Sequence, residues 1–592
     1  AGESRKPLTD ILRTEWGFDG LVMSDWLAVA DRPAGVHAGL DLEMPSSSGA
    51  WDARVAAALD SGELSASDLD QACARVVELC LRAAAGRAQH ADVDYEAHHA
   101  LGRRAAAAGT VLLTNDGLLP LAASGRVALI GAFADKPRYQ GAGSSQVNPT
   151  RLDTALATMR ARLAGRAELT YSPGYDPVTG TTDAALLAEA RRAAGGADAV
   201  VLLIGLPATH ESEGFDRPHL RLPADHETLL QVVLAANPRT AVVLVNGAPV
   251  ELHWADRPAA LVEAYLGGQA AGAALVDVLF GDAEPGGRLA ESFPVAAAEL
   301  PAHATFSSHP TQVRYLEGPY VGYRFHDTFD VAPRFCFGHG LSYTSFEFAD
   351  LVVEGAGDEF SVAVTVTNTG QRAGSEVVQV YVHDAESSLH RPEQELKGFA
   401  KVHLVPGEAQ RVVVPLGRRA FAVYDVAQAA WLVEAGEFEV RVGASSRDIR
   451  ARASVHVEAA ARITPAPRPA GAIATVAEFA ALLGRPVPAP RSLLPLHADS
   501  AIDDLRQTWL GRGLHGALMK VITKTLDLGG DEATKAMMEA VIGQMPLRGI
   551  VANAGGKFTF EMLERLLKVV NLAAGKRARV EMGGIRRAVR ID

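Results

Sequence analysis

The spacing of apolar residues changes character several times along the chain. The segment LTDILRTEW within residues 7–23 has apolar positions at helical spacing. Gly17 and Gly20 then bracket a turn before the run LVM, which predicts a short buried strand. A second turn-and-strand is predicted at AGLDLEMP (38–45), and residues 50–90 predict helix. From 95 to 345, continuous apolar strands (127–133, 199–205, 240–247 and 260–266) alternate with helical segments (152–164, 183–195, 224–236 and 270–280). Such alternation predicts a mostly parallel sheet covered on both faces. Residues 347–457 switch to a two-residue period in FSVAVTVTN, EVVQVYVHD, RVVVPL and FEVRVGA, which predicts an antiparallel sandwich of immunoglobulin-like type. Pro465, Pro467, Pro469, Pro486, Pro488 and Pro490 mark an extended linker over 462–492, with a short helix inside it. Helical patterning returns over 498–592, amphipathic at 501–523 and 558–573, and ends in a basic run from Lys576 to Arg590. No repeat at solenoid spacing is visible.

Composition narrows the function classes. The 592 residues are 48% hydrophobic and 21% charged, enough apolar material for several cores and unlike a disordered or collagen-like chain. The net charge of −13 argues against nucleic acid and anionic membranes as partners, since both call for a basic footprint. The longest apolar runs, such as 199–206 and 241–245, fall short of the roughly 18–20 residues of a membrane span. Cys73, Cys80 and Cys336 form neither a disulfide framework nor a zinc-type spacing, which points to a reducing compartment and a cytoplasmic location. Cys73 and Cys80 share a helix face and are expected to be small core residues. No cofactor or metal is called for, and a homo-oligomer is an option left open. No signal peptide is visible, and the first residue is Ala1, not Met.

Three short segments could carry chemistry. Asp25 follows the LVM strand and precedes Trp26. In barrel enzymes the C-terminal ends of strands face the active site. A carboxylate there can attack or stabilise an oxocarbenium centre, and an indole offers a flat apolar face to a sugar ring. The plain alternative is that Asp25 caps the following helix. The second segment, His210 to Arg217, follows the strand ending at Gly205 and crowds Glu211, Glu213 and Asp216 beside Arg217. Like-charge crowding raises one carboxylate and a neighbouring Arg lowers another, so one acid can stay protonated near neutral pH. The alternative is a solvated charged loop. The third, Gly141 to Gln146, offers backbone N–H groups and the hydroxyls of Ser144 and Ser145 around Gly143. It lacks the phosphate-loop and dinucleotide spacings, so sugar hydroxyls suit it better than nucleotides, and the alternative is a flexible loop.

Taken together, these pieces resemble glycoside hydrolase family 3 of the beta-glucosidase type. GFDGLVMSDW (17–26) is similar to the family's nucleophile segment, and AGLDLEMP (38–45) to its next barrel-strand motif. AAGTVLLTNDGLLPL (107–121) resembles the entry to its second domain. GAGSSQVNP (141–149) and ESEGFDR (211–217) resemble its loops over the active site. Residues 267–294 and 320–346 are similar to its domain-closing segments, and LKGFAKVHLVPGE (396–408) to its fibronectin type III-like domain. The resemblance covers about residues 5–457 and leaves the tail from about 460 unexplained.

The resemblance implies a multidomain α/β plus β chain. Residues 1–95 would be the last part of a (β/α)8, TIM-type barrel. Residues 96–345 would be an α/β sandwich domain with a mostly parallel sheet. Residues 346–458 would be a fibronectin type III-like β-sandwich, 459–492 a Pro-rich linker and 493–592 a helical C-terminal extension. It implies retaining, exo-acting hydrolysis of terminal beta-linked glycosides or oligosaccharides. Asp25 would be the nucleophile and Glu213 the acid/base, with Glu211 as fallback. Trp26, Gly143, Ser144, Ser145, Phe215 and Arg217 would touch the substrate. Retention calls for the two carboxyl groups about 5–5.5 Å apart. Beta-xylosidase and related exo-glycosidases are the neighbouring activities, and a non-catalytic carbohydrate-binding remnant is the alternative class. Family members begin with an almost complete barrel of about 250 residues. Here Asp25 lies near the first residue, so the chain is expected to be the C-terminal portion of a longer enzyme and inactive alone.

Overall fold

The computed structural model describes residues 2–87, 92–306, 309–356, 359–459, 461–465, 469–525 and 532–572. The chain forms two compact units. One is built from its two ends, up to Asp94 and from Arg491 onward, and the other from Tyr95–Pro490. The predicted basic run Lys576–Arg590 and Pro467 lie outside the described residues.

The first unit opens with a π-helix over Lys6–Glu15. Two extended stretches then run parallel: Met23 bridges Leu42, and Ser24 N–H donates to the Leu42 carbonyl at 2.9 Å. The crossover between them is α1 (Arg32–Ala38), so this is one strand–helix–strand step of the barrel type. The predicted LVM strand is reduced to this single bridge, and Met23 is 53% exposed, because the pairing at Leu42 is its only strand-type pairing among the described residues. Asp41 ties the step together. Its carboxylate accepts from Arg13 Nη2 (2.7 Å), Val22 N (2.8 Å) and Arg75 Nη1 (2.9 Å), with the side chain 1% exposed. Helices α2 (Asp52–Ser61) and α3 (Ala66–Gly86) follow. Cys73 and Cys80 are both exposed, contrary to the expected core placement. The buried side of α3 is carried by Ala72, and the opposite side, with Val77 and Leu81, faces solvent.

The second unit begins with α4 (Tyr95–Gly109) and a six-stranded sheet. Its strands are β1 (Val111–Asn115), β2 (Arg126–Ile130), β3 (Glu168–Ser172), β4 (Ala199–Gly205), β5 (Thr240–Val245) and β6 (Ala260–Glu263). Their order is β1-β6-β5-β4-β2-β3, parallel throughout except for β1 against β6. Helices α5 (Ala155–Leu163), α6 (Ala184–Gly195), α7 (Ala224–Ala236) and α8 (Ala271–Phe280) connect and cover the strands. Thr154 and Asp183 cap α5 and α6 through their side-chain oxygens, satisfying N–H groups that the first turn leaves free. The chain steps from β2 outward to β3, then returns across β2 to β4. The C-terminal ends of β2 and β4 therefore flank the point where the strand order reverses, which is where open α/β sheets form their ligand crevice.

After α9 (Tyr323–Thr328) come β7 (Phe346–Ala356), β8 (Glu359–Asn368), β9 (Gly374–Asp384), β10 (Glu395–Leu404) and β11 (Ala409–Gly417). A short hairpin, β12 (Val423–Asp425) with β13 (Ala430–Leu432), precedes β14 (Gly436–Gly443) and β15 (Ile449–Val457). They form sheets β11-β8-β7 and β10-β9-β14-β15, whose inner faces share a core of Val, Leu and Phe. The sandwich is tied to the α/β domain by a buried ion pair, Arg288 to Glu376 at 2.7 Å. The Pro-rich segment is held down rather than free. Thr464 N–H donates to Asp425 (2.7 Å), Ala474 N–H to the Leu316 carbonyl (2.9 Å) and Gln312 to the Pro488 carbonyl (2.8 Å). Its expected short helix is α10 (Val476–Leu483), with Thr475 and Glu478 forming a capping box.

The chain then returns to the first unit. A 3-10 segment (Ile502–Gln507) leads to α11 (Trp509–Thr525), α12 (Glu532–Gln544), α13 (Arg548–Asn553) and α14 (Phe560–Leu572). Their apolar faces meet in a core that includes Ile502, Ile542, Leu563 and Leu567, and Ala50 packs against it. The two ends of the chain thus share one folded unit. No described helix is long and apolar enough to cross a membrane.

Candidate active site

Asp25 opens the loop that follows the first parallel stretch and is exposed. It does not cap α1. That role falls to Asp31, whose Oδ1 accepts from Ala34 N at 3.1 Å, while Asp25 Oδ1 accepts from the next amide, Trp26 N, at 2.6 Å. Ser24 beneath it is buried, and its hydroxyl accepts from Met44 N (2.8 Å), tying the root of this loop to the loop after the second stretch. Trp26 presents its indole to solvent at 60% exposure. An exposed carboxylate beside an exposed aromatic face, on a backbone pinned from below, is free to meet a ring-shaped polar ligand.

In the second unit the loops after β2 and β4 converge at the sheet's reversal point. Ser144 N–H donates to Glu213 Oε2 at 2.6 Å, so the Gly141–Gln146 loop cradles the protein's own carboxylate. Gly143 makes this possible. Its φ is +92°, and a Cβ there would stand 2.5 Å from Glu213 Oε2. The amide hydrogen bond holds the Glu213 carboxyl below the usual range, since it favours the charged form. Ser144, Ser145 and Glu213 are exposed, and Phe215 is half-buried.

Glu211 is placed quite differently. Its carboxylate is 3.0 Å from Arg138 Nη1 and 3.8 Å from Arg217 Nη1, accepts from Gly247 N at 2.9 Å, and is 18% exposed. Arg217 also donates to the Pro249 carbonyl in the loop after β5 (2.7 Å) and Arg138 to the Glu211 carbonyl (2.8 Å), so both guanidinium groups are committed to backbone carbonyls as well as to Glu211. Beneath this network lies a carboxyl that the pattern reading passed over. Glu263, at the end of β6, is fully buried, accepting from Asn246 Nδ2 (3.0 Å) and Tyr265 N (2.9 Å). Burial, together with the negative charges of Glu211 and Glu291, pushes it up to about 8. A single Glu inside the apolar run ALVEAYL was the available signal. Among the described residues no group of three or more His, Cys, Asp or Glu side chains is arranged to hold a metal ion.

Comparison with known proteins ties these two loop clusters to one family. The N-terminal and C-terminal domain patterns of glycosyl hydrolase family 3 match residues 1–79 and 110–343, and the fibronectin type III-like domain matches 376–446. The thermostable beta-glucosidase B of Acetivibrio thermocellus is 42% identical over 574 residues, 96% of this chain and 72% of that protein. The chain belongs to glycosyl hydrolase family 3. An exo-alpha-(1->6)-L-arabinopyranosidase of Bifidobacterium breve is 40% identical over 77% of this chain, which spans 62% of that relative. Among solved structures, a family 3 beta-glucosidase from Bifidobacterium adolescentis superposes with a TM-score of 0.75 at 40% identity, over 81% of this chain and 70% of that one. A match over 96% of the chain takes in most of the helical extension, so the tail that the motif resemblance left unexplained has a counterpart in a family 3 relative.

Proposed function

We propose that this family 3 glycoside hydrolase removes terminal beta-linked glycosyl units, beta-glucosides foremost, with net retention. Asp25 acts as nucleophile and Glu213 as acid/base. The contrast between the two glutamates carries the second assignment. Glu213 stands exposed on the crevice with its carboxylate accepting from Ser144, while Glu211 is drawn into two guanidinium groups and a backbone amide. A proton-transfer group must exchange its proton with solvent and substrate, and a carboxylate clamped by two cations is poorly suited to that. Two of the relatives are beta-glucosidases, which favours a catalytic reading over a non-catalytic remnant.

In the first step Glu213 gives its proton to the glycosidic oxygen. The Asp25 carboxylate attacks the anomeric carbon, the C–O bond to the leaving alcohol breaks, and a glycosyl ester forms on Asp25. In the second step Glu213 takes a proton from water, the hydroxide attacks the same carbon, and the ester bond breaks to restore Asp25. Trp26 supplies the platform for the leaving group. The Ser144 hydrogen bond favours the ionised form of Glu213 in the free protein, so loosening it as substrate enters would favour the protonated form that acid catalysis uses.

Incubating the complete gene product that carries this chain with a 2-deoxy-2-fluoro glycoside and mapping the adduct tests the nucleophile. An adduct on Asp25, absent in Asp25→Asn, is expected, whereas an adduct on another carboxylate would overturn the assignment. Glu213→Ala should lower kcat/KM by roughly 10²–10⁴-fold on glycosides with poor leaving groups and far less on activated aryl glycosides. If Glu211→Gln shows that leaving-group dependence and Glu213→Ala does not, the roles are reversed.

A further inference from the structure

Helix α13 reaches the loop that carries Asp25. Arg548, its first residue, donates through Nη1 to the carbonyl of Leu27 at 2.8 Å and also to the carbonyl of Val29. These are the second and fourth residues after Asp25. The guanidinium is itself anchored, with Nε on Asp499 Oδ1 at 2.7 Å and the side chain 12% exposed. Its backbone is fixed as well. Arg548 N–H donates to the Ala498 carbonyl (2.8 Å) and Leu547 N–H to the Ser500 carbonyl (2.9 Å).

The segment it grips needs holding. Leu27 has φ +59°, a left-handed conformation that a branched side chain adopts at a cost and keeps only when its surroundings impose it. Its N–H donates to the Met44 carbonyl (3.1 Å), and its carbonyl is taken by Arg548, so the residue is clamped on both sides. A Cβ at Gly549 would lie 3.7 Å from the Leu27 side chain, so α13 lies directly against it. The neighbouring loop is gripped in the same way. Trp51 packs on Phe560 of α14 with ring centroids 4.6 Å apart, Arg54 lies over the Phe560 ring at 3.9 Å, and Trp51 Nε1 donates to Glu43 at 2.8 Å. The loops after both parallel stretches are thus held from outside by the helical extension, α13 on one and α14 on the other.

We propose that Arg548 is a positioning residue for the nucleophile. By fixing the Leu27 and Val29 carbonyls it sets the turn from which Asp25 and Trp26 project, which gives the helical extension a part in catalysis. The proposal rests on Asp25 being the nucleophile, and its test separates the two claims. Hydrogen exchange is followed on peptides covering 24–31 and 560–572 in wild type, Arg548→Ala and Arg548→Lys. The same proteins, as complete gene products, are titrated with a 2-deoxy-2-fluoro glycoside. In Arg548→Ala, protection at 24–31 is expected to fall while 560–572 keeps its own. The maximal labelling rate of Asp25 should drop roughly 10–100-fold with the half-saturating concentration little changed. Lys, able to reach one carbonyl, should recover part of both. Unchanged protection at 24–31, unchanged labelling, or a loss of protection throughout the first unit in both variants overturns the positioning role. If wild type carries its label elsewhere, the nucleophile assignment fails, while the exchange data still decide whether Arg548 holds this segment.

Discussion

Gly143 shows how one missing side chain sets a carboxylate's chemistry. A methyl group there would occupy the space of Glu213 Oε2, on a backbone with φ of +92° that alanine accepts poorly. Gly143→Ala should therefore push Glu213 off the Ser144 amide. The hydrogen bond that holds the carboxyl low would be lost, and its pKa would rise toward the ordinary value of 4.5. The general acid works in its protonated form, so the basic limb of the kcat/KM profile should move to higher pH in Gly143→Ala, alongside a lower kcat from misplacement. A profile whose basic limb stays in place would separate Glu213 from that limb. Glu263 gives the opposite sign. Its carboxyl rises from 4.5 unfolded to about 8 folded. The folded state therefore holds a proton that the unfolded state has released across that interval. The stability linked to that proton is complete below about 4.5 and is lost as pH climbs through about 8. Chemical denaturation between pH 5 and 9 should show this decline, and Glu263→Gln should flatten it.

At the scale of elements, legibility followed burial. Strands β4 and β5 are apolar almost throughout because both of their faces are covered, and the apolar runs predicted them within two residues. β3 reads ELTYS, with alternating half-buried positions at the sheet edge, and carries no such run; β1 lies in a segment noticed only as a family motif. The period-two strands β8, β9, β11 and β14 were visible because the sandwich alternates inward and outward residues. That Asp31 and not Asp25 caps the following helix depends on where α1 begins, a boundary that periodicity does not fix to the residue. Asp41 lay inside the AGLDLEMP motif, but its partners Arg13 and Arg75 are 28 and 34 residues away, and no local pattern announces such contacts. Removing that buried carboxylate leaves two neighbouring guanidinium groups without their counter-charge, Arg13 keeping only the Gly20 and Gly39 carbonyls. Asp41→Ala should cost the first unit about 3–5 kcal/mol, read as a shifted urea midpoint for exchange of its amides. A midpoint unchanged from wild type would show that water replaces the carboxylate at little cost.

On the scale of the whole chain, its two ends complete each other. Amphipathic periodicity marks residues 501–523 and 558–573 as helices with one buried face, but it says nothing about what covers that face. The partner turns out to lie more than 400 residues earlier. The core of α11–α14 takes in Ala50, Trp51 packs at a tilt against Phe560, and Arg548 bonds to Leu27 and Val29. By contrast, Tyr95–Pro490 carries two cores of its own, one around the six-stranded sheet and one inside the sandwich, joined by Arg288–Glu376. Ending the chain after Pro490 should therefore act unequally. Residues 2–87 lose the helices that bury Trp51, 4% exposed in the intact unit, and keep little more than the Asp41 network and the small cluster around Val36, Ala58, Leu64 and Ala72 to hold them. Hydrogen exchange on the truncated chain should show residues 2–87 unprotected and open to proteolysis, with protection in β4, β5, β8 and β9 as in the full chain. If Trp51 and the 24–31 loop keep their protection without α11–α14, the N-terminal segment folds by itself, and the extension is a passenger rather than half of a domain.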